Sequence, residues 1–376
     1  MKKCIVISDS FKGTLSSRDI CEIARQSIPR FFPYCEIAAL PVADGGEGTV
    51  ECFVEAIQAQ PVEVTVAGPY GEAVQAIYCR SGNRAVIEVA SAAGLPMVGE
   101  RQNPERTTTF GVGQLIRHAA ENGCREILLG LGGSCTNDGG CGCAAALGTR
   151  FFQGNDEEFV PVGGSLERIA RIDISETRRL LKQVTITAMC DVDNPLCGPQ
   201  GAAHVFGPQK GADEAMAERL DSGLCHLADM IRRGLGLSVG NIPGAGAAGG
   251  LGAGCIAFLG GTLKPGIEAV LDMLDFDRRL AGTDLVITGE GRLDSQSIHG
   301  KVISGIARRT KPGNIPLLAI VGGIGSGAEE AYDLGVTAIF GTDRQAASLD
   351  EISPLASENY RRTLEDVLRL IRAVEK

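Results

Sequence analysis

Five times along this 376-residue chain a short apolar run stops and a loop rich in glycine and polar residues follows at once. Residues 4–7 lead into SDSFKGT (8–14), 36–40 into PVADGGEGT (41–49) and 126–131 into GGSCTNDGG (132–140). Residues 184–189 lead into CDVDNPL (190–196), and 284–287 into TGEGRLD (288–294). Open α/β sheets bind ligands beyond the carboxyl ends of their strands. One such loop is ordinarily a turn. Five of them, each carrying carboxylates, cations or amides, constrain the chain to an α/β fold with a ligand site at a carboxyl edge.

The intervening segments sort into two styles. Near the N-terminus, strand 4–7 is followed by a helix that Ser16 and Asp19 open as a capping box, with Ile20, Ile23, Ala24 and Ile28 at helical spacing. Strand 36–40 and helix 49–57 follow. Short strands at 62–67, 73–79 and 85–89, separated by GPYG and SGN, read as an antiparallel meander. Next come helix 107–121, strand 126–131, short helix 141–147 and strand 184–189. A long helix, 212–232, carries Leu220, Leu224, Leu227 and Ile231 along one stripe. The last hundred residues alternate strands 284–287, 315–321 and 337–340 with helices 301–309 and 326–334, which implies a parallel sheet with right-handed crossovers. The expected fold is therefore α/β with two domains. One, assembled discontinuously from 1–62 and 280–376, has a parallel doubly wound (Rossmann/flavodoxin-like) sheet. The other, 63–279, has a mixed sheet.

Charge and cysteine usage narrow the function. The net charge is −10 and no run of Lys and Arg occurs, which disfavours nucleic acid as a partner. The pairs Arg178-Arg179, Arg232-Arg233 and Arg308-Arg309 read as last-turn cations facing helix dipoles. Thirteen cysteines, an odd number without a CxxC pair, suit reduced thiols in the cytoplasm. Cys135, Cys141 and Cys143 fit no standard zinc spacing. The apolar stretch after Met1-Lys2-Lys3 ends at Asp9, too early for a signal peptide. Residues 234–263 are uncharged but include eleven Gly, Asn241 and Pro243, so a tightly packed internal segment is expected there, not a membrane span.

The loops carry the chemistry. Gly132-Gly133 and Gly139-Gly140 let backbone N–H groups converge on an anion, helped by a following helix start. No P-loop occurs; Gly300-Lys301-Val302 lacks the hydroxyl. A GxGxxG at Gly244, Gly246 and Gly249 follows Pro243 in place of a strand, so close helix packing explains it at least as well as a dinucleotide. Asp191 and Asp193 alternate, which in an extended loop puts one toward Mg²⁺ and the other toward a substrate. Asp44 and Glu47 flank Gly45-Gly46, and Glu290, Arg292 and Asp294 alternate likewise. Asp19 and Asp213 read as helix caps. The cations Lys12, Lys210, Arg292 and Lys301 each neighbour a glycine. Lys12 or Lys210 suits a phosphate and the planar Arg292 a carboxylate. His118 and His226 fall inside helices and receive no role. Together these features support phosphoryl transfer, which needs mainly positioning and charge neutralisation. They do not name the acceptor.

The motifs DSFKGT, PVADGGEGT, TTTFGVG, GGSCTNDGG, CDVDNPLCGP, FGPQKGA, PGAGAAGGLG and TGEGRLDSQSIHGK occur in order over nearly the whole chain. Together they resemble the bacterial type-1 glycerate kinases, with Cys135 and Cys141 where Ala is usual and Ser297 where Thr is usual. The resemblance implies two α/β domains around a cleft that holds the active site. It also implies transfer of the ATP γ-phosphate to D-glycerate, giving 2- or 3-phosphoglycerate in glyoxylate and organic-acid catabolism. ATP with Mg²⁺, a cytoplasmic location and no nucleic-acid or membrane partner follow. The roles are inferred from the loop residues and not from the resemblance: Asp191 is expected to accept the hydroxyl proton, and Asp193, with Asp44 as support, to hold Mg²⁺. Gly132, Gly133, Ser134, Asn137, Asp138 and Lys210 would bind nucleotide. Arg292, with Thr107 and Asp294, would hold glycerate, and Lys12 would neutralise the moving phosphoryl group. Two alternatives are a kinase of another small hydroxy acid and a non-catalytic sugar-acid sensor. The number of carboxylates argues against the sensor.

Overall fold

The computed structural model describes residues 1–11, 13–42, 49–295, 302–344 and 349–375. Lys12, Asp44, Glu47 and Lys301 lie outside the described residues. In chain order the main strands are β1 (Lys3–Ser8), β2 (Glu36–Pro41), β3 (Gln60–Ala67), β4 (Ala73–Ser81), β5 (Arg84–Glu88), β6 (Glu126–Gly130), β7 (Thr185–Met189), β8 (Thr262–Lys264), β9 (Leu285–Thr288), β10 (Leu317–Val321) and β11 (Ala338–Gly341). The helices that matter below are α1 (Ser17–Phe31), α2 (Phe110–Glu121), α3 (Cys141–Ala146), α4 (Glu214–Leu235), α5 (Ala247–Ala257), α6 (Val302–Thr310) and α7 (Ala356–Val374). The chain divides into two compact units. One comprises residues 1–44, 51–58 and 270–376, the other 45–50 and 59–269.

The first unit is built on a five-stranded sheet in the order β11-β10-β9-β1-β2, parallel throughout. Counted within the unit, this is the 2-1-3-4-5 order of flavodoxin-like folds, whose switch point lies between its first and third strands, here β1 and β9. Parallel strands are covered on both faces and so read as unbroken apolar runs. β9 and β10 are buried at every position. α1 begins at the expected capping box. Ser16 Oγ accepts from the Asp19 amide at 3.1 Å and the Asp19 carboxylate accepts from the Ser16 amide at 3.3 Å. Ile20, Ile23, Ala24 and Ile28 of α1 share one apolar cluster with Tyr360, Leu364, Val367 and Leu368 of α7. The sequence reading passed over α7, although its apolar residues keep helical spacing.

The second unit carries a six-stranded sheet in the order β8-β7-β6-β5-β4-β3. β3, β4 and β5 form the expected antiparallel meander, and β5 to β8 run parallel. α4 starts at Asp213, whose carboxylate accepts from the Met216 amide at 2.7 Å, and buries the stripe Leu220, Leu224, Leu227 and Ile231. The glycine-rich stretch after it forms a loop and the buried helix α5. Among the described residues no helix is long and apolar enough to cross a membrane.

Two expectations are corrected. α2 starts at Phe110 and not at Thr107, because Thr107 and Thr109 spend their hydroxyls and an amide on the loop after β6. Thr side chains compete with helical hydrogen bonding in this way. The cysteines are not all reduced. Cys197 and Cys225 form a disulfide, their Cα atoms 5.5 Å apart where the loop after β7 meets α4. Cysteine counting cannot see a pairing of that kind. Cys141 and Cys143 sit in the core, where burial pushes their thiols well up. No three His, Cys, Asp or Glu side chains gather as a metal cage among the described residues.

Candidate active site

β6 and β7 are neighbours in register, Gly130 opposite Met189, so the loops that follow them leave the sheet side by side. The β6 loop is held from within. Asp138 is fully buried. Its Oδ2 accepts from the Thr109 amide and hydroxyl, both at 2.8 Å, and from the Gly142 amide at 3.2 Å. Its Oδ1 accepts from the Gly140 amide at 3.0 Å. Burial raises this carboxyl, and the Thr109, Gly140 and Gly142 donors oppose the rise. The anion at the start of α3 is therefore the protein's own, and the amides of Gly140 and Gly142 are directed at it. Glycine is required at 142, because a Cβ there would collide with Thr108 Oγ1 and lie 2.8 Å from Asp138 Oδ2.

The other half of the loop is built over a cation. Lys210, only 3 % exposed, donates to Ser134 Oγ at 3.0 Å and to the Thr136 carbonyl at 2.7 Å. Burial pushes Lys210 down to about 8, against the pull of Cys135 and Asp138 in the other direction. Among the described residues no carboxylate lies within ion-pair reach of its ammonium. Thr107 Oγ1 donates to the Cys135 carbonyl at 2.9 Å and so straps the loop. Gly132 and Gly133 reach the surface above Ser134. Beside them, Thr136 Oγ1 and both amide atoms of Asn137 are buried and have no hydrogen-bond partner among the described residues. Orphaned buried polar atoms are rare in native folds and point to a missing ligand or water.

The β7 loop differs. Asp191, Val192 and Asp193 are exposed. Asp191 Oδ1 accepts from the Gly266 amide at 2.8 Å, which orients its carboxylate. Asn194 Nδ2 donates to the Gln200 carbonyl at 2.8 Å, and the disulfide at Cys197 anchors the loop's far end.

A family profile described as the glycerate kinase family matches residues 4–372. A glycerate kinase of Bacillus cereus (strain ATCC 10987) is 45% identical over 97% of both chains. The glycerate 2-kinase of Escherichia coli K12 is 42% identical, again over 97% of both chains. The chain belongs to the glycerate kinase family. A crystal structure of a candidate glycerate kinase 2 from Salmonella typhimurium LT2 superposes with a TM-score of 0.88 at 42% identity, covering 100% of this chain and 99% of that one.

The expected residues divide between the two units. Gly132, Gly133, Ser134, Asn137, Asp138, Lys210 and Thr107 form one cluster in the second unit, with Asp191 and Asp193 on the adjoining loop. Arg292 and Asp294 belong to the first unit and pair with each other, Arg292 Nε to Asp294 Oδ2 at 3.3 Å, with the arginine side chain 72% exposed. They follow β9, at the switch point, where the Asp9 amide donates to the Gly289 carbonyl at 2.9 Å. Thr109 and Thr136 were missed by the sequence reading. The run of three threonines ahead of a helix was the available signal for Thr109. Nothing in the sequence marks Thr136.

Proposed function

We propose that this chain transfers the γ-phosphoryl group of ATP to a hydroxyl of D-glycerate, with Mg²⁺, in the cytoplasm. The observation that carries this reading is a buried cation, Lys210, beneath a loop whose Asn137 amide lacks a partner among the described residues, next in register to a loop of exposed carboxylates. In this reading Gly132, Gly133, Ser134 and Asn137 receive the nucleotide phosphates, and Lys210 supplies positive charge from below. Asp138 becomes the internal anion that holds the loop's shape. Thr107 straps the loop and does not touch substrate. Asp191, oriented by the Gly266 amide, accepts the proton of the attacking hydroxyl. Asp193, supported by Asp44, offers carboxylate oxygens of the kind a hard cation takes alongside water and phosphate. Held by those oxygens, Mg²⁺ would supply neutralising charge for the phosphates. Arg292, with Asp294, matches the glycerate carboxylate, and Lys12 offsets charge on the moving group.

The test is coupled ADP release with and without D-glycerate, followed by ³¹P NMR of the product. Turnover is expected only with D-glycerate and is abolished by EDTA. Equal turnover in chelator, or preference for a different hydroxy acid, overturns the reading.

A further inference from the structure

The GxGxxG at Gly244, Gly246 and Gly249 finds no nucleotide in the account above, yet its backbone meets both loops of the site. At one end the Gly246 amide donates to the Asn194 carbonyl at 3.0 Å, and a Cβ on Gly246 would collide with the Pro195 carbonyl. At the other, the Gly139 amide donates to the Gly249 carbonyl at 3.0 Å. A Cβ on Gly249 would strike the Thr136 carbonyl and lie 2.6 Å from Asn137 Cα. One on Gly254 would lie 2.6 Å from the Gly139 carbonyl. Between these contacts Ala248, Gly249 and Gly250 all adopt left-handed backbone, with φ of 52°, 65° and 91°. For the alanine this conformation is disfavoured, and non-glycine residues persist in it only where the surroundings over-determine them. The main chain so closely approached belongs to Thr136 and Asn137, whose buried side-chain polar atoms have no hydrogen-bond partner among the described residues.

We propose that residues 243–254 are a positioning element that fixes the separation between the phosphate loop after β6 and the carboxylate loop after β7. The proposal rests on the reading of those two loops given above. One main-chain segment is bonded to both. A shift of either contact therefore moves the donor phosphates relative to the Asp191 carboxylate, and a misplacement near 1 Å reduces rate about 10²-fold.

Gly246 and Gly254 have φ values open to any residue, so alanine there strains no φ of its own but pushes against the main chain of the neighbouring loop. Gly246→Ala and Gly254→Ala are each expected to lower kcat on the order of tenfold, with Gly254→Ala, which meets the phosphate loop, also raising the KM for ATP. Gly236→Ala is the control. It ends α4 at φ 72° with nothing within 4 Å of an added Cβ, so it loses melting temperature and keeps wild-type kinetics. If both test variants keep wild-type kinetics while Ser134→Ala and Asp191→Asn are impaired, the segment is packing only and the proposal fails with the loop reading intact. If Ser134→Ala and Asp191→Asn are also unimpaired, the loop reading itself fails. Should neither glycine variant fold, amide exchange of the wild-type protein decides. A non-hydrolysable ATP analogue should protect 190–196 and 246–254 together with 132–140, and protection confined to 132–140 overturns the proposal.

Discussion

The loops after β6 and β7 leave adjacent strands of one sheet, yet they are built on opposite plans. The first buries Thr136, Asn137 and Asp138 completely and balances an internal carboxylate against an internal ammonium. The second leaves Asp191 and Asp193 exposed and is tied down by the Gly266 amide on Asp191, by the bonds of Asn194 and by the disulfide. The hydrogen bonds made by the buried Asp138 and Lys210 hold the loop in one shape, because each alternative leaves one of those groups unpaired in low dielectric. Exposed carboxylates are less constrained and keep part of their hydration until a cation or a hydroxyl replaces it. The buried loop therefore suits the fixed task of shaping around phosphate, and the exposed loop the tasks that change during turnover.

The sharpest way to break this contrast is to neutralise the exposed loop. A general base contributes about 10²–10⁴-fold to rate. Asp191→Asn should lower kcat by that order in steady-state assays, with the Mg²⁺ concentration for half-maximal rate unchanged. Asp193→Asn should raise that Mg²⁺ concentration, because an amide is a poorer ligand for a hard cation. If both variants shift Mg²⁺ dependence alike, the two carboxylates share one role.

Neutralising the buried loop should act on stability. Asp138→Asn keeps the size of the side chain but turns one oxygen into a donor facing donors. Hydrogen bonds to charged groups contribute about 1.5–3 kcal/mol each, so a loss of roughly 2–4 kcal/mol in urea unfolding is expected. A change near zero would mean that the network is not what shapes the loop.

Lys210 offers a smaller, pH-dependent effect. Its folded pKa of about 8 lies below the usual lysine value of about 10.4. Between those values the unfolded chain binds more protons than the folded one, so stability rises with pH across that window and is lost as pH falls toward 8. Relative to Lys210→Met, the wild-type protein should gain melting temperature between pH 8 and pH 10. A constant difference would place the ammonium in a wetter setting.

Much of this was legible beforehand, for reasons that differ by feature. Apolar runs bounded by glycine gave away β1, β6, β7 and β9 and put loops 132–140, 190–196 and 288–294 at strand ends. The Ser16 and Asp213 caps were plain because their signals are local. The direction in which Asp138 points was not legible, since an Asp between Asn and Gly suits a ligand contact as well as an inward anchor. Lys210 likewise read as a phosphate contact, and only tertiary packing puts it under Ser134. Thr107–Thr109 looked helical because apolar spacing continues past them, and side-chain bonds to a segment some thirty residues away prevail. The disulfide between Cys197 and Cys225 joins a loop to a helix with no spacing signature.

The division of labour between the two loops is tested most directly by measuring, side by side, the affinity for a non-hydrolysable ATP analogue by calorimetry and kcat with D-glycerate, in Ser134→Ala and Asp191→Asn. Ser134→Ala should weaken nucleotide binding with kcat nearly retained at saturation, and Asp191→Asn should bind nucleotide as the wild type does while losing about 10²–10⁴-fold in kcat. Nucleotide affinity that falls equally in both, or that survives intact in Ser134→Ala, would contradict the account.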